Sequence, residues 1–152
     1  SISELMKTVK SKSSKFIIKI RIPNWAIKIN TTEKNRLQDG YMVIEREFSA
    51  NDSIQFSFET DVKIKSAATG AHYFTYGALL YALPIGANEI SGKFTDFTYE
   101  PTSNLRYQFN SNPKTKYING KIQTELINLS TKQVEFVELI PFGKTILRQT
   151  TF

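Results

Sequence analysis

The chain has 152 residues, enough for one well-cored domain and short for two. Hydrophobic residues make up 40%, with 11 Phe and 7 Tyr, which excludes a disordered chain. The formal net charge of +6 invites a nucleic-acid reading, but no cysteine and a single histidine exclude disulfides, thiolate metal sites and multi-histidine metal centres.

Period-two alternation dominates, and the only helical signal is a turn at "SISELMKTV". Residues 1–14 read as a linker or a first strand. In "KFIIKIRI", Phe16, Ile18, Ile20 and Ile22 share one face, while Lys15, Ile17, Lys19 and Arg21 share the other. Past Pro23 the predicted inward set is Trp25, Ile27 and Ile29, so parity flips from even to odd. A flip without a long loop is the work of a bulge or sharp bend, where a residue that donates no ladder hydrogen bond is tolerated. "RIPNW" is therefore predicted to turn a strand around a corner and to seat the only tryptophan there.

Asp39-Gly40 marks a turn before "YMVIEREF", in which Met42, Ile44 and Phe48 alternate with Val43, Glu45 and Glu47. After the turn "SANDS", Ile54, Phe56 and Phe58 alternate with Gln55, Ser57 and Glu59. "DVKIK" gives a short strand. "GALLYALPIG" is apolar on both faces and reads as a covered central strand that ends at Pro84. Residues 85–102 read as a long connection with one short strand over Phe94–Tyr99. "LRYQF", "KIQTELINL", "QVEFVELIPF" and "TILRQTTF" follow, with a polar turn region over Asn110–Gly120 that includes Asn119-Gly120. Nine or ten short strands predict an all-β fold, an antiparallel β-sandwich of jelly-roll type, spanning residues 1–152 as one domain. The predicted core includes Phe16, Ile18, Ile20, Trp25, Ile54, Phe56, Phe58, Leu80 and Ala82.

Few residues point to chemistry. His72 lies beside Tyr73 and Phe74 and lacks the two partners a catalytic base requires, so it reads as structural. Glu45 and Glu47 share a strand face and point in parallel, unlike carboxylates that flank a glycosidic bond; Asp96 and Glu100 are scattered in the irregular connection. Tyr73, Tyr76, Phe97 and Tyr99, near Phe74 and Phe94, are the candidate carbohydrate-contacting residues, because aromatic rings stack on sugars. The alternative use of such rings is packing. Asn30, Asn51 and Asn128 begin N-x-Ser/Thr triplets, which matter only in a eukaryotic secretory protein. The lysines are dispersed: Lys63 and Lys65 alternate with Val62 and Ile64 as on a solvated sheet face, so nucleic acid is not an expected partner. No apolar run approaches the roughly 18 residues of a membrane span, and no cofactor is expected. The opening residues lack a signal-peptide pattern and do not begin with Met. A periplasmic or secreted address follows only if a parent protein carries a signal peptide.

Taken in order, "FIIKIRIPNWA", "GYMVIEREFSANDSIQFSF", "YGALLYALP" and "VELIPFGKTILRQTTF" resemble the C-terminal part of the β-L-arabinofuranosidase family, glycoside hydrolase family 127 and its bacterial relatives. Where the family shows a Gly-Asp turn this chain has Asn51-Asp52, and its Gly-Pro-Leu step is Gly77-Ala78-Leu79 here. The resemblance implies an accessory β-sandwich, separated from a helical (α/α)6 barrel that carries a cysteine nucleophile and zinc. No residue of this chain matches that machinery. The expected partners are therefore a catalytic barrel of the same protein and a second copy of the chain through the face a barrel would cover. A carbohydrate-binding role, holding the enzyme near a glycan, is the alternative.

Overall fold

The computed structural model describes residues 4–8, 13–91, 97–103 and 106–152. Sixteen strands and one 3-10 turn, Phe142–Lys144, make up its regular structure, and every strand pairing among the described residues is antiparallel. The fold is all-β. Packing divides the chain into two compact units, Ser1–Asp61 and Val62–Phe152.

The first unit contains β1 (Glu4–Thr8), β2 (Ser14–Arg21), β3 (Lys28–Thr31), β4 (Arg36–Gln38), β5 (Tyr41–Phe48) and β6 (Ser53–Glu59). They form two three-stranded sheets, β1-β6-β3 and β2-β5-β4. Met42, Ile44 and Phe48 of one sheet meet Ile54, Phe56 and Phe58 of the other, all buried, with Phe16, Ile18, Ile20 and Trp25 packed against them. These two sheets make a small β-sandwich of the first unit alone, where a jelly-roll-type sandwich over the whole chain was expected, and burial of each such side chain contributes about 1.5–3 kcal/mol. The segment expected to contain a helical turn is instead β1, whose register runs from Glu4 opposite Ser57 to Thr8 opposite Ser53.

The corner lies where "RIPNW" predicts it. β2 ends at Arg21 in one sheet, a turn closes through the Ala26 N–H donating to the Pro23 carbonyl at 3.0 Å, and β3 begins at Lys28 in the other sheet. Trp25 packs inward. Ile27, expected inward as well, is 52% exposed. It sits in the bend, tied by its N–H to the Glu59 carbonyl at 2.9 Å, and Ala26 takes the place against the core. Val43 departs in the other direction: it faces outward in register but is buried, at the centre of its sheet between Lys19 and Arg36 of the flanking strands.

The second unit contains β7 (Val62–Ser66), β8 (His72–Tyr76), β9 (Leu79–Ile85), β10 (Ala87–Ser91), β11 (Phe97–Pro101), β12 (Tyr107–Phe109), β13 (Thr115–Ile118), β14 (Lys121–Asn128), β15 (Val134–Pro141) and β16 (Leu147–Gln149). Eight of these form one sheet, in the order β12-β14-β15-β9-β8-β7, with β13 on β14 and β16 on β9. The sheet curls into a half-barrel. Rings on strands far apart in its order stack face to face: His72 of β8 on Phe109 of β12 at 3.9 Å, and Tyr76 of β8 on Tyr117 of β13 at 3.6 Å. Inside lie Phe74, Tyr81, Ile122, Leu126, Val137 and Leu139.

Two readings of this half are corrected. The 85–102 connection contains a two-stranded ribbon, β10-β11, in place of one short strand at Phe94–Tyr99; Phe94 itself lies outside the described residues. Pro84 does not end its strand. β9 runs through Pro84 to Ile85, with β16 taking up the pairing beyond Tyr81, and Pro84 stands opposite Arg148 where a residue that donates no ladder hydrogen bond is tolerated. Leu80 is half-buried, and its neighbours Tyr81 and Ala82 fill the core.

Candidate functional site

The four aromatic candidates do not form one row. Tyr73 and Tyr76 are three apart on β8 and so point to opposite faces of it. Tyr76 faces the same way as the buried Phe74, and one of its ring faces is taken up by Tyr117. Tyr117 also meets Tyr81 edge-on at 6.3 Å. The Tyr81 hydroxyl donates to the Gly120 carbonyl at 3.2 Å, and burial raises its phenol far above the ordinary tyrosine range. Tyr99, half-buried on β11, donates to Glu89 Oε2 at 3.2 Å, a bond that raises its pKa. Phe97 starts β11, but its side chain lies outside what is described.

The carboxylates are dispersed. Glu45 is held below the usual carboxylate range first by its bond to Arg36 at 3.2 Å and then by Lys15 at 3.6 Å. A general acid requires the opposite shift. Glu47 accepts from the Ser13 hydroxyl at 2.7 Å, and Glu100 is exposed on β11 opposite Asn88. Asp96 lies outside the described residues. His72 stacks on Phe109 and exchanges two backbone hydrogen bonds with Phe152, both 2.9 Å, so it closes the half-barrel. Among the described residues, no group of three or more His, Asp or Glu side chains is placed to hold a metal ion.

The asparagine triplets are occupied structurally. Asn128, 4% exposed, donates to Glu135 Oε1 and accepts the N–H groups of Ser130 and Thr131. Glu135 also accepts the Tyr107 hydroxyl at 2.9 Å. Asn30 donates to Glu59, and Asn51 holds a left-handed turn conformation, φ 70°.

Sequence reasoning passed over Arg46. It shares the inward parity of Met42, Ile44 and Phe48, yet it is charged. Its guanidinium meets Glu33 through two bonds of 3.0 and 3.2 Å, Asp52 at 2.8 Å and the Glu47 carbonyl at 3.0 Å, and it lies over the Phe48 ring at 4.1 Å. The Arg46 bond lowers the Asp52 pKa, with further help from the Ser49 N–H. Asp52 thus ties the Ser49–Asp52 turn to the rim of the sandwich. The signal was a charge on a core-facing position of an otherwise clean alternation.

Comparison with known proteins gives one sequence match and three of fold. Residues 3–60 match the family model described as "Beta-L-arabinofuranosidase, GH127 middle domain". The match stops at the boundary of the first unit, which ends at Asp61. No curated protein matches the chain in sequence. A solved GH127 β-arabinofuranosidase shares 15% identity and a TM-score of 0.60 over 91% of this chain and 27% of its own. A GH127 β-L-arabinofuranosidase from Geobacillus stearothermophilus T6 gives 15% and 0.55 over 97% of this chain and 27% of its own. A third structure, described as a glycoside hydrolase, gives 17% and 0.54 over 95% of this chain and 29% of its own. The chain therefore spans little more than a quarter of the length of the structures it matches. It is GH127-like: its first unit carries the middle-domain pattern of β-L-arabinofuranosidases, and its fold is one found within those enzymes.

Proposed function

We propose that the chain is a non-catalytic accessory region of a GH127-like glycoside hydrolase, and that it packs on and stabilises a helical catalytic barrel of the same polypeptide. The observation that carries this reading is the middle-domain match over residues 3–60, which coincides with a complete β-sandwich. On this reading, the second unit is the β region that follows the middle domain. Exposed apolar side chains support a docking role: Ile27 and Leu37 line one groove of the first unit, and Val134 and Phe136 stand outward on β15. A barrel or a second copy of the chain would cover such surface. The chain also lacks the cysteine that the family resemblance requires of a nucleophile.

An assay of the purified 152-residue chain against aryl arabinofuranosides, with and without zinc, tests the non-catalytic assignment. The expected rate is that of the buffer. Turnover that disappears on replacing Glu45, Glu47, Asp96 or Glu100 would make the chain an enzyme. A glycan-targeting role is the second reading, favoured by the half-exposed rings of Tyr73 and Tyr99. Saturable binding of arabino-oligosaccharides that is lost in Tyr99→Ala would establish it.

A further inference from the structure

A depression of about 400 Å³ in the second unit is lined by Ile85, Arg106, Arg148, Gln149, Thr150 and Thr151. Arg106 and Arg148 both line it. No carboxylate of the described residues pairs with either arginine. Arginine usually finds an anion when the surroundings supply one, since its planar fork matches a carboxylate or phosphate in two parallel bonds.

The walls are fixed by neutral bonds. Gln149 clamps the neighbouring strand at two points: its carbonyl accepts the Tyr107 N–H at 3.0 Å, and its amide donates to the Tyr107 carbonyl at 2.6 Å. This holds Arg106, the preceding residue, against the C-terminal segment. Arg148 is oriented by one nitrogen alone. Its Nη1 donates to the Thr145 carbonyl at 2.8 Å and to Thr145 Oγ1 at 3.1 Å, with a longer contact to the Phe142 carbonyl, while its guanidinium rests 3.7 Å above the Phe142 ring. Those partners hold the side chain without cancelling its charge. Nε and Nη2 keep no protein acceptor among the described residues.

We infer that this depression binds an oxyanion, and specifically the carboxylate of an acidic saccharide. Two arginines of the lining, without a carboxylate partner among the described residues, supply the charge. The hydroxyls of Thr150 and Thr151 supply neutral donors and acceptors suited to ring hydroxyls, and Ile85 offers an apolar patch for a sugar face. The choice of a saccharide over a free small anion rests on the proposed role in a glycoside hydrolase; the oxyanion site itself does not. The ligand would dock an acidic glycan on the accessory region, away from any catalytic step.

Calorimetric titration of the 152-residue chain with trigalacturonate, neutral arabinotriose, acetate and inorganic phosphate tests the inference. Trigalacturonate is expected to bind saturably and to weaken with added salt, since exposed charges are screened. Arg106→Gln, which removes no side-chain bond among the described residues, is expected to lower that affinity about tenfold, the loss of one charge-assisted contact. Arg148→Lys is expected to do the same, and the thermal unfolding of Arg106→Gln, unchanged from the wild type, is the control for folding. Phosphate binding as tight as trigalacturonate, and equally sensitive to both variants, would keep the oxyanion site and overturn the saccharide. No trigalacturonate binding, or binding indifferent to both substitutions, would overturn the site. That last result leaves the accessory role standing, because a barrel can dock on surfaces that do not include this depression.

Discussion

Tyr76 and Tyr117 stack face to face, ring centroids 3.6 Å apart and planes within 9°, although their strands lie far apart in the order of one sheet. The pair is a clasp that holds the curl of β8 onto β13. Aromatic pairs contribute about 0.5–1.5 kcal/mol beyond the area they bury. A double-mutant cycle with Tyr76→Leu and Tyr117→Leu should therefore give a coupling energy of about 1 kcal/mol in denaturant unfolding. Additive effects of the two replacements would show that the curl does not depend on this contact.

The corner at Trp25 gives a second prediction. The indole meets Phe58 edge-on, centroids 6.0 Å apart at 86°, and its backbone carbonyl accepts the Thr60 hydroxyl at 3.0 Å. Trp25→Ala empties the place where the chain passes between the two sheets of the first unit and should destabilise by about 3 kcal/mol. Thermal and urea unfolding measure it. A change under 1 kcal/mol would show that the corner is held by its backbone bonds alone.

The acid limb of the stability curve follows from Arg46. The folded-state pKa of Asp52 lies below its ordinary value, because of Arg46 first and the Ser49 N–H second. Glu45 is lowered chiefly by Arg36, and Glu59 chiefly by Asn30 and then Lys28. Depressed carboxyl groups bind fewer protons folded than unfolded. Their contribution is fully present above the unfolded pKa, about 4, and is lost as pH falls through the lower folded values. Urea midpoints of the wild type should drop below about pH 4, and Asp52→Asn should flatten that drop. An equal slope in the variant would remove Asp52 from the account.

Much of the first unit was legible in the sequence. Ile54, Phe56 and Phe58 alternate cleanly and are all buried, since one face of a sandwich strand meets core and the other water. Asp39-Gly40 and Asn119-Gly120 also read correctly as turns. All four residues have positive φ, between 50° and 81°, as tight two-residue hairpins demand. The curled sheet hid the rest. His72, Tyr73, Phe74 and Tyr76 carry no clean alternation because both faces of β8 are at least half-covered, so a strand read as an aromatic cluster. The arginine-lined depression was invisible for a related reason. Arg106 and Arg148 are 42 positions apart in sequence, the spacing that also separates Tyr107 from Gln149, and the Gln149 clamp ties their segments together.

The claim that this chain serves a catalytic barrel is tested most directly by reassembly. The barrel segment of a parent GH127-like enzyme should be expressed alone and then together with residues 1–152, with arabinofuranosidase turnover and sedimentation recorded for both. The account predicts a one-to-one complex in which the barrel is more thermostable and turns over substrate, while the 152-residue chain alone is inert. A barrel that is equally stable and active without the chain, and that never co-sediments with it, would contradict the account.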